Sequence, residues 1–303
     1  MNESSEILVT IGLCTKNSEK TISEAIHSVA KQDFPHGLME VIVVDGNSRD
    51  RTLSTIKQCL SKTTIRAKFY SESTGLGFAR QTVVDKASGK YIVWVDGDIL
   101  LSSDYIRRQV DFMEENPNVA ISVGRFGILD DDNWIATLEN VGYVINSLRH
   151  AGQATKKIIG TEAAIFRVSA IKEAGGFNCD IKGAQEDCDM AYKIKKAGWS
   201  SFMTDAVFFE RQKSTWKELW KQHFWYGYGL HFLKHSNSEL NVVFDKTVDR
   251  VLFSPEAYRL THRKVAFLLP LNFVFKKTAL LFGFMSAHRD GYGHDINLKF
   301  QCY

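Results

Sequence analysis

Proline is scarce, with four in 303 residues, and no cluster of prolines marks a hinge that would divide the chain. Cysteine is scarce too. The five cysteines (Cys14, Cys59, Cys179, Cys188 and Cys302) are odd in number and form no C-x-x-C pair, which argues against a disulfide framework and a thiolate zinc site and suits a reducing compartment. Charge of one sign is also lacking: a formal net charge of +3 is too small to imply a nucleic-acid partner. The opening MNESSEILVTIG has two glutamates before its apolar stretch and no basic leader, so it reads as a first strand and predicts a cytoplasmic, non-secreted chain. There is no internal repeat and no low-complexity tract.

What is present is a core. With 44% hydrophobic and 24% charged residues, the sequence is neither a disordered tail nor a collagen. The small net charge conceals an asymmetry. Residues 1–212 carry 25 Lys+Arg against 28 Asp+Glu, whereas residues 213–303 carry 13 against 7. The expectation is a catalytic α/β domain over 1–212 and a basic, aromatic helical region over 213–303.

Apolar patterning supports this division. ILVTIGL (Ile7–Leu13) reads as a doubly buried strand, Thr21–Lys31 as a helix, and MEVIVVDG as a second strand ending at Asp45. A helix carrying Leu53, Ile56 and Leu60, a strand over Ile65–Tyr70, a helix over Phe78–Ala87 and the strand KYIVWVDGD complete β-α-β-α-β-α-β. Such alternation predicts a mostly parallel sheet flanked by helices, with ligands outside the carboxyl ends of its strands. Beyond Asp98 the pattern loosens to a helix over Asp104–Glu115, a strand over Val119–Val123, an irregular stretch to Ile158 and a last strand SFMTDAVFF.

Asp96-Gly97-Asp98 follows the apolar YIVWV directly. Two carboxylates one residue apart at a strand end can hold a hard divalent cation, and Gly97 would let a bulky ligand approach the backbone. An ordinary polar turn is the alternative. VVDGNSRDRT is a second acidic strand end, in which Ser48 and Asp50 can also cap the next helix.

TIGLCTKN, SVAKQDF, VVDGNSRDRT, GFARQ, ASGKYIVWVDGD, EAGGF and QEDCDMAYKIKKAGW occur in this order. Together they resemble family-2 glycosyltransferases of the GT-A (nucleotide-diphospho-sugar transferase) fold, including polyprenyl- and dolichyl-phosphate sugar synthases and related enzymes of lipid-linked glycans. The resemblance implies that Thr15, Asn17, Asp45, Ser48, Arg80, Asp96 and Arg211 serve a UDP- or GDP-sugar, and that Asp98 with Asp96 holds Mg2+ or Mn2+ against the diphosphate. It implies that Asp187, beside Glu186, is the general base of an inverting hexosyl transfer. Asp187 reads equally as the cap of the helix that follows, and Arg211 and Lys213 as solvated loop charges. Lys16, Asn17 and Ser18 stand where many relatives carry Tyr, Asn and Glu, and Gln81 stands where they carry Asn. KQHFWYG lacks the arginine of the Q-x-x-R-W signature, which argues against polymer synthesis.

Trp216, Trp220, Phe224, Tyr228 and Phe232 recur every four residues beside Lys217, Lys221 and Lys234. This stripe is either a docking face or a membrane-interface helix. Lys264–Ala287 is strongly apolar but interrupted by Pro270, Asn272, Lys276 and Lys277, so two short interfacial helices are expected rather than a span. These features predict a peripheral protein at the cytoplasmic membrane face with a lipid-linked or anionic acceptor. His223, His231 and His235 do not complete a metal site, because no carboxylate or cysteine in helical register joins them. Two other functions compete: a non-catalytic sugar-nucleotide or lipid-binding module, which Asp96, Asp98 and Asp187 disfavour, and a dinucleotide oxidoreductase suggested by Gly75-Leu76-Gly77, where Arg80 replaces the third glycine.

Overall fold

The computed structural model describes residues 6–129, 131–155, 158–181, 183–236 and 253–292, so Cys302 and the first five residues lie outside them. The chain divides into two compact units. The first comprises residues up to 127 with 150–179 and 186–211, and the second 128–149, 180–185 and everything from 212. Residues 128–149 and 180–185 thus leave the catalytic stretch for the C-terminal unit, although nothing in their local pattern distinguishes them.

The first unit is built on β1 (Val9–Thr15), β2 (Met39–Asp45), β3 (Arg66–Ser71), β4 (Tyr91–Trp94), β5 (Ile99–Leu101), β6 (Val119–Phe126), β7 (Gln153–Ala154), β8 (Ile165–Arg167) and β9 (Ser200–Glu210). Its helices are α1 (Ile22–Ala30), α2 (Thr52–Leu60), α3 (Leu76–Lys86) and α4 (Tyr105–Glu115). The second unit contributes α5 (Trp134–Leu148), and the first resumes with α6 (Val168–Glu173) and α7 (Glu186–Lys196). The strands form one sheet in the order β3-β2-β1-β4-β8-β6-β9-β5, with β7 on β9. β1, β2, β3 and β4 are parallel, as the alternation predicts, because each crossover carries a helix.

Every residue of β1 and β2 is buried, which is why both read as unbroken apolar runs. Ile22, Ala25, Ile26 and Val29 form the buried face of α1 at helical spacing. The three-residue β8 runs antiparallel between β4 and β6. Periodicity does not register so short a strand. The stretch expected to be irregular up to Ile158 contains the 15-residue α5 and β7.

The second unit adds α8 (Trp216–Ser236), α9 (Phe253–Thr261) and α10 (Leu269–Arg289). Leu138, Val141, Ile145, Ala257, Ala266 and Leu269 form its buried core. One expectation is corrected here. The segment 264–287 is not two short helices: after a 3-10 turn over Lys264–Leu268, α10 is continuous, with Pro270 in its first turn where a missing N–H costs nothing. Lys276 does not break it, because its ammonium lies 3.0 Å from both oxygens of the buried Glu139 on α5.

The aromatic stripe of α8 faces α10 as a docking surface, one of the two readings its spacing allowed. Trp216 and Trp220 meet Phe275 at 4.8 and 5.5 Å between ring centres, and Tyr228 stacks on Tyr292 at 4.9 Å. A Cβ on Gly227 would lie 1.9 Å from the Leu280 carbonyl oxygen, and one on Gly283 would lie 1.9 Å from that of Phe224, so the two helices cross backbone to backbone. Among the described residues, Trp225 of α8 is exposed, and the 264–289 segment exposes Phe267, Leu268, Leu271, Val274, Leu281, Phe282 and Met285. That segment is long and apolar enough to cross a membrane, by length and composition.

Candidate active site

The site begins where β1 and β2 end. Thr15 and Asp45 are register partners, and the Thr15 hydroxyl is buried with no hydrogen-bond partner. The Ser48 hydroxyl donates to Asp45 Oδ1 at 2.6 Å and its N–H donates to Oδ2 at 3.0 Å, fixing the carboxylate's orientation. Asn17 adopts φ +51°, a conformation its short polar side chain tolerates. Its N–H donates to Ser48 Oγ at 2.9 Å and its Oδ1 accepts from the Arg49 N–H at 2.9 Å, so Asn17 ties the first loop to the second.

Arg80 is the buried centre. Its Nε donates to Glu186 Oε1 at 2.8 Å, its NH2 lies 3.5 Å from Asp96 Oδ1, and its guanidinium stacks 5.1 Å from the centre of the buried Trp94 ring. NH1 is buried without a partner. Burial works against this charge, but Asp96 and Glu186 hold the guanidinium ionised. α3 places Arg80 one turn from its start, and Gln81 Oε1 accepts from the Phe177 N–H at 2.8 Å, so glutamine at this position ties the EAGGF turn to α3.

Five carboxyl groups, those of Asp96, Asp98, Glu162, Glu186 and Asp187, interact electrostatically around Arg80. Burial pushes Asp96 above its ordinary value; Arg80 opposes this, while Asp98 and Asp187 reinforce it. Burial likewise raises Glu186 to about 7, with Asp187 adding to the effect. Asp187 Oδ1 accepts from the Cys188 N–H at 2.8 Å and Oδ2 from the Thr161 N–H at 3.3 Å. A Cβ on Gly160 would lie 2.6 Å from Oδ2, so the glycine is what makes room for this carboxylate.

Glu162 belongs to the same cluster and escapes a reading of strand ends. Burial raises it to about 7, and Asp187, Asp96 and Asp98 all add to the shift. A search for ligands after the carboxyl ends of strands misses it, because Glu162 precedes a strand. β8 is antiparallel to β4, with Val93 opposite Ile165, so the beginning of β8 lies beside the end of β4. An acidic residue just ahead of AAIFR was the available signal.

Asp98 and Arg211 come together through the backbone: the Arg211 N–H donates to the Asp98 carbonyl at 2.9 Å, while its guanidinium pairs with Glu24 at 2.9 Å. A Cβ on Gly97 would lie 2.9 Å from Ser18 Cβ and Oγ, so the glycine accommodates the first loop. The cluster as a whole offers oxygen donors and excess negative charge around one cation.

Known proteins are similar to this chain in sequence and in fold. Glycosyl transferase family 2 matches residues 10–175, more than half of the chain. The poly(ribitol-phosphate) beta-N-acetylglucosaminyltransferase TarS of Staphylococcus aureus is 31% identical over 115 residues, 38% of this chain and 20% of its own length. The UDP-Glc:alpha-D-GlcNAc-diphosphoundecaprenol beta-1,3-glucosyltransferase WfgD of Escherichia coli is 29% identical over 130 residues, 43% of this chain and 50% of its own length. The chain thus spans a fifth to a half of these two relatives. Among solved structures, the mannosyltransferase PcManGT from Pyrobaculum calidifontis, in complex with GDP-Man and Mn2+, superposes with a TM-score of 0.65 at 19% identity, covering 95% of this chain and 90% of its own. The fold is therefore GT-A, and the chain belongs to glycosyl transferase family 2.

Proposed function

We propose that the chain transfers a hexosyl unit, with inversion, from a UDP- or GDP-sugar to a lipid-linked or otherwise anionic acceptor at the cytoplasmic membrane face. The observation that carries this reading is the carboxylate cluster of Asp96, Asp98, Glu162 and Asp187 around Arg80, at the strand ends where α/β sheets bind ligands. In this reading the first unit holds the donor and the second meets the acceptor and membrane. The family relationship supports the reaction class, and WfgD, whose name specifies a diphosphoundecaprenol-linked acceptor, supports the acceptor class.

The donor set fits a hard cation: it is all oxygen, solvent-accessible at Asp96, whose side chain keeps 30% of its exposure, and short of positive charge. Asp98, with Asp96, would hold Mg2+ or Mn2+. A cation bound there offsets the charge of the departing diphosphate. The unpartnered Thr15 hydroxyl and Arg80 NH1 are groups that a nucleotide could satisfy, and Asp45, locked by Ser48, is a rigid acceptor for base or ribose hydroxyls. Arg211 would act from the Asp98 backbone. Asp187, held by two N–H groups, is oriented to take the proton of an attacking hydroxyl. With a phosphate acceptor there is no proton to remove, and Asp187 would orient groups instead.

Membrane association is supported by the exposed apolar residues of 264–289 and by the basic excess after residue 212. The test is a thermal shift with UDP or GDP plus Mn2+, expected in the wild-type chain and absent in Asp98→Ala, together with hydrolysis of a panel of nucleotide sugars. Stabilisation by NAD(H), with none from either nucleotide, overturns the proposal.

A further inference from the structure

α8 and α10 bring three histidines together far from the aspartate cluster in sequence. His231 is buried, His235 and His288 are exposed, and one ring nitrogen of each lies within 4.8 Å of those of the others. His231 and His235 stand four residues apart on one face of α8, their ring centres 4.4 Å apart. His288 comes from the last turn of α10. His223, eight residues before His231, is not among the three whose nitrogens lie together.

The chemistry of His231 is specific. Its Nδ1 lies 2.6 Å from the Tyr292 carbonyl oxygen, a distance at which Nδ1–H donates and Nε2 of the neutral ring carries the lone pair. That Nε2 lies 3.2 Å from Nδ1 of His288. Two imidazoles on one tetrahedral Zn2+, each with a bond of about 2.0 to 2.1 Å, have nitrogens about 3.3 Å apart. A ligating histidine characteristically donates its other N–H to a carbonyl or carboxylate, the arrangement His231 has with Tyr292. The backbone contacts of Gly227 with Leu280 and of Gly283 with Phe224 hold the two helices in this register. His235, exposed on the helix surface, supplies the third nitrogen, within 4.8 Å of the other two.

We propose that His231, His235 and His288 form a zinc site, with water as fourth ligand, that clamps α8 to α10. Three neutral imidazoles favour Zn2+ over the hard cations suited to the carboxylate cluster. The site thus differs in chemistry from the carboxylate cluster and does not depend on the proposed reaction.

The experiment uses the full chain stripped of metal by a chelator. Titration with ZnCl2 should give one ion per chain and a raised melting temperature, and MgCl2 should give neither at this site. His235→Gln and His288→Gln alter exposed residues, so both variants should fold. Each should weaken Zn2+ binding by about tenfold or more, while Asp98→Ala should leave it unchanged. Co2+ should give the visible absorption of a tetrahedral nitrogen and oxygen site. Undiminished Zn2+ binding in both histidine variants, loss of binding in Asp98→Ala, or thiolate-to-cobalt bands would each overturn the proposal.

Discussion

Arg80 and Glu186 form a buried pair across 106 residues of sequence, Nε to Oε1 at 2.8 Å, with side chains 4% and 2% exposed. The pair joins α3 to the start of α7 and thereby sets where Asp187 stands, one residue further on. Removing one partner strands a buried charge. Arg80→Ala is expected to destabilise the first unit by about 3 to 5 kcal/mol. The double variant Arg80→Met, Glu186→Leu should recover most of that stability without recovering turnover, because it restores packing but not the charge beside Asp96. Chemical denaturation and nucleotide-sugar hydrolysis on the same samples separate the two effects.

Gly160 provides a second, more local test. A methyl group 2.6 Å from Asp187 Oδ2 must displace the carboxylate. Gly160→Ala should lower turnover by about tenfold or more while changing nucleotide affinity little, since positioning errors at a proton acceptor act on kcat. Asp187→Asn should do the same to a hydroxyl acceptor. Normal kcat in both variants would remove Asp187 from the role of base.

Glu40 couples the fold to pH. Burial alone would raise this carboxyl, but hydrogen bonds from Lys68, the Ser88 N–H and Thr10 outweigh it, so its folded value lies below the ordinary one. A lowered folded value contributes stability that is complete above the unfolded value and disappears as pH falls through the folded one. Glu40→Gln should therefore cost about 1 to 3 kcal/mol at neutral pH. The gap to wild type should narrow as pH falls below about 4. A gap that widens in acid would contradict the assignment. Melting curves across the acid range read the outcome.

Much of the first unit was legible because its strands and helices differ in period. β1, β2 and β4 are buried on both faces and read as unbroken apolar runs, and Asp45 and Asp96 stand out as the first charges after them. Glu162 was not legible, because an antiparallel strand reverses which of its ends faces the site. The aromatic stripe of α8 was visible, but its partner was not: the pattern alone does not distinguish a lipid surface from Phe275.

By itself the sequence determined the alternation of elements, the acidic strand ends and the basic excess after residue 212, since each depends on neighbours a few positions apart. The tertiary structure decided which distant groups meet. It brought Glu186 to Arg80, moved residues 128–149 into the second unit, and set His288 beside His231 where no helical register could have placed it. The physical reason is that periodicity reports which face of an element is buried, whereas the identity of the covering element is fixed only when distant segments pack together.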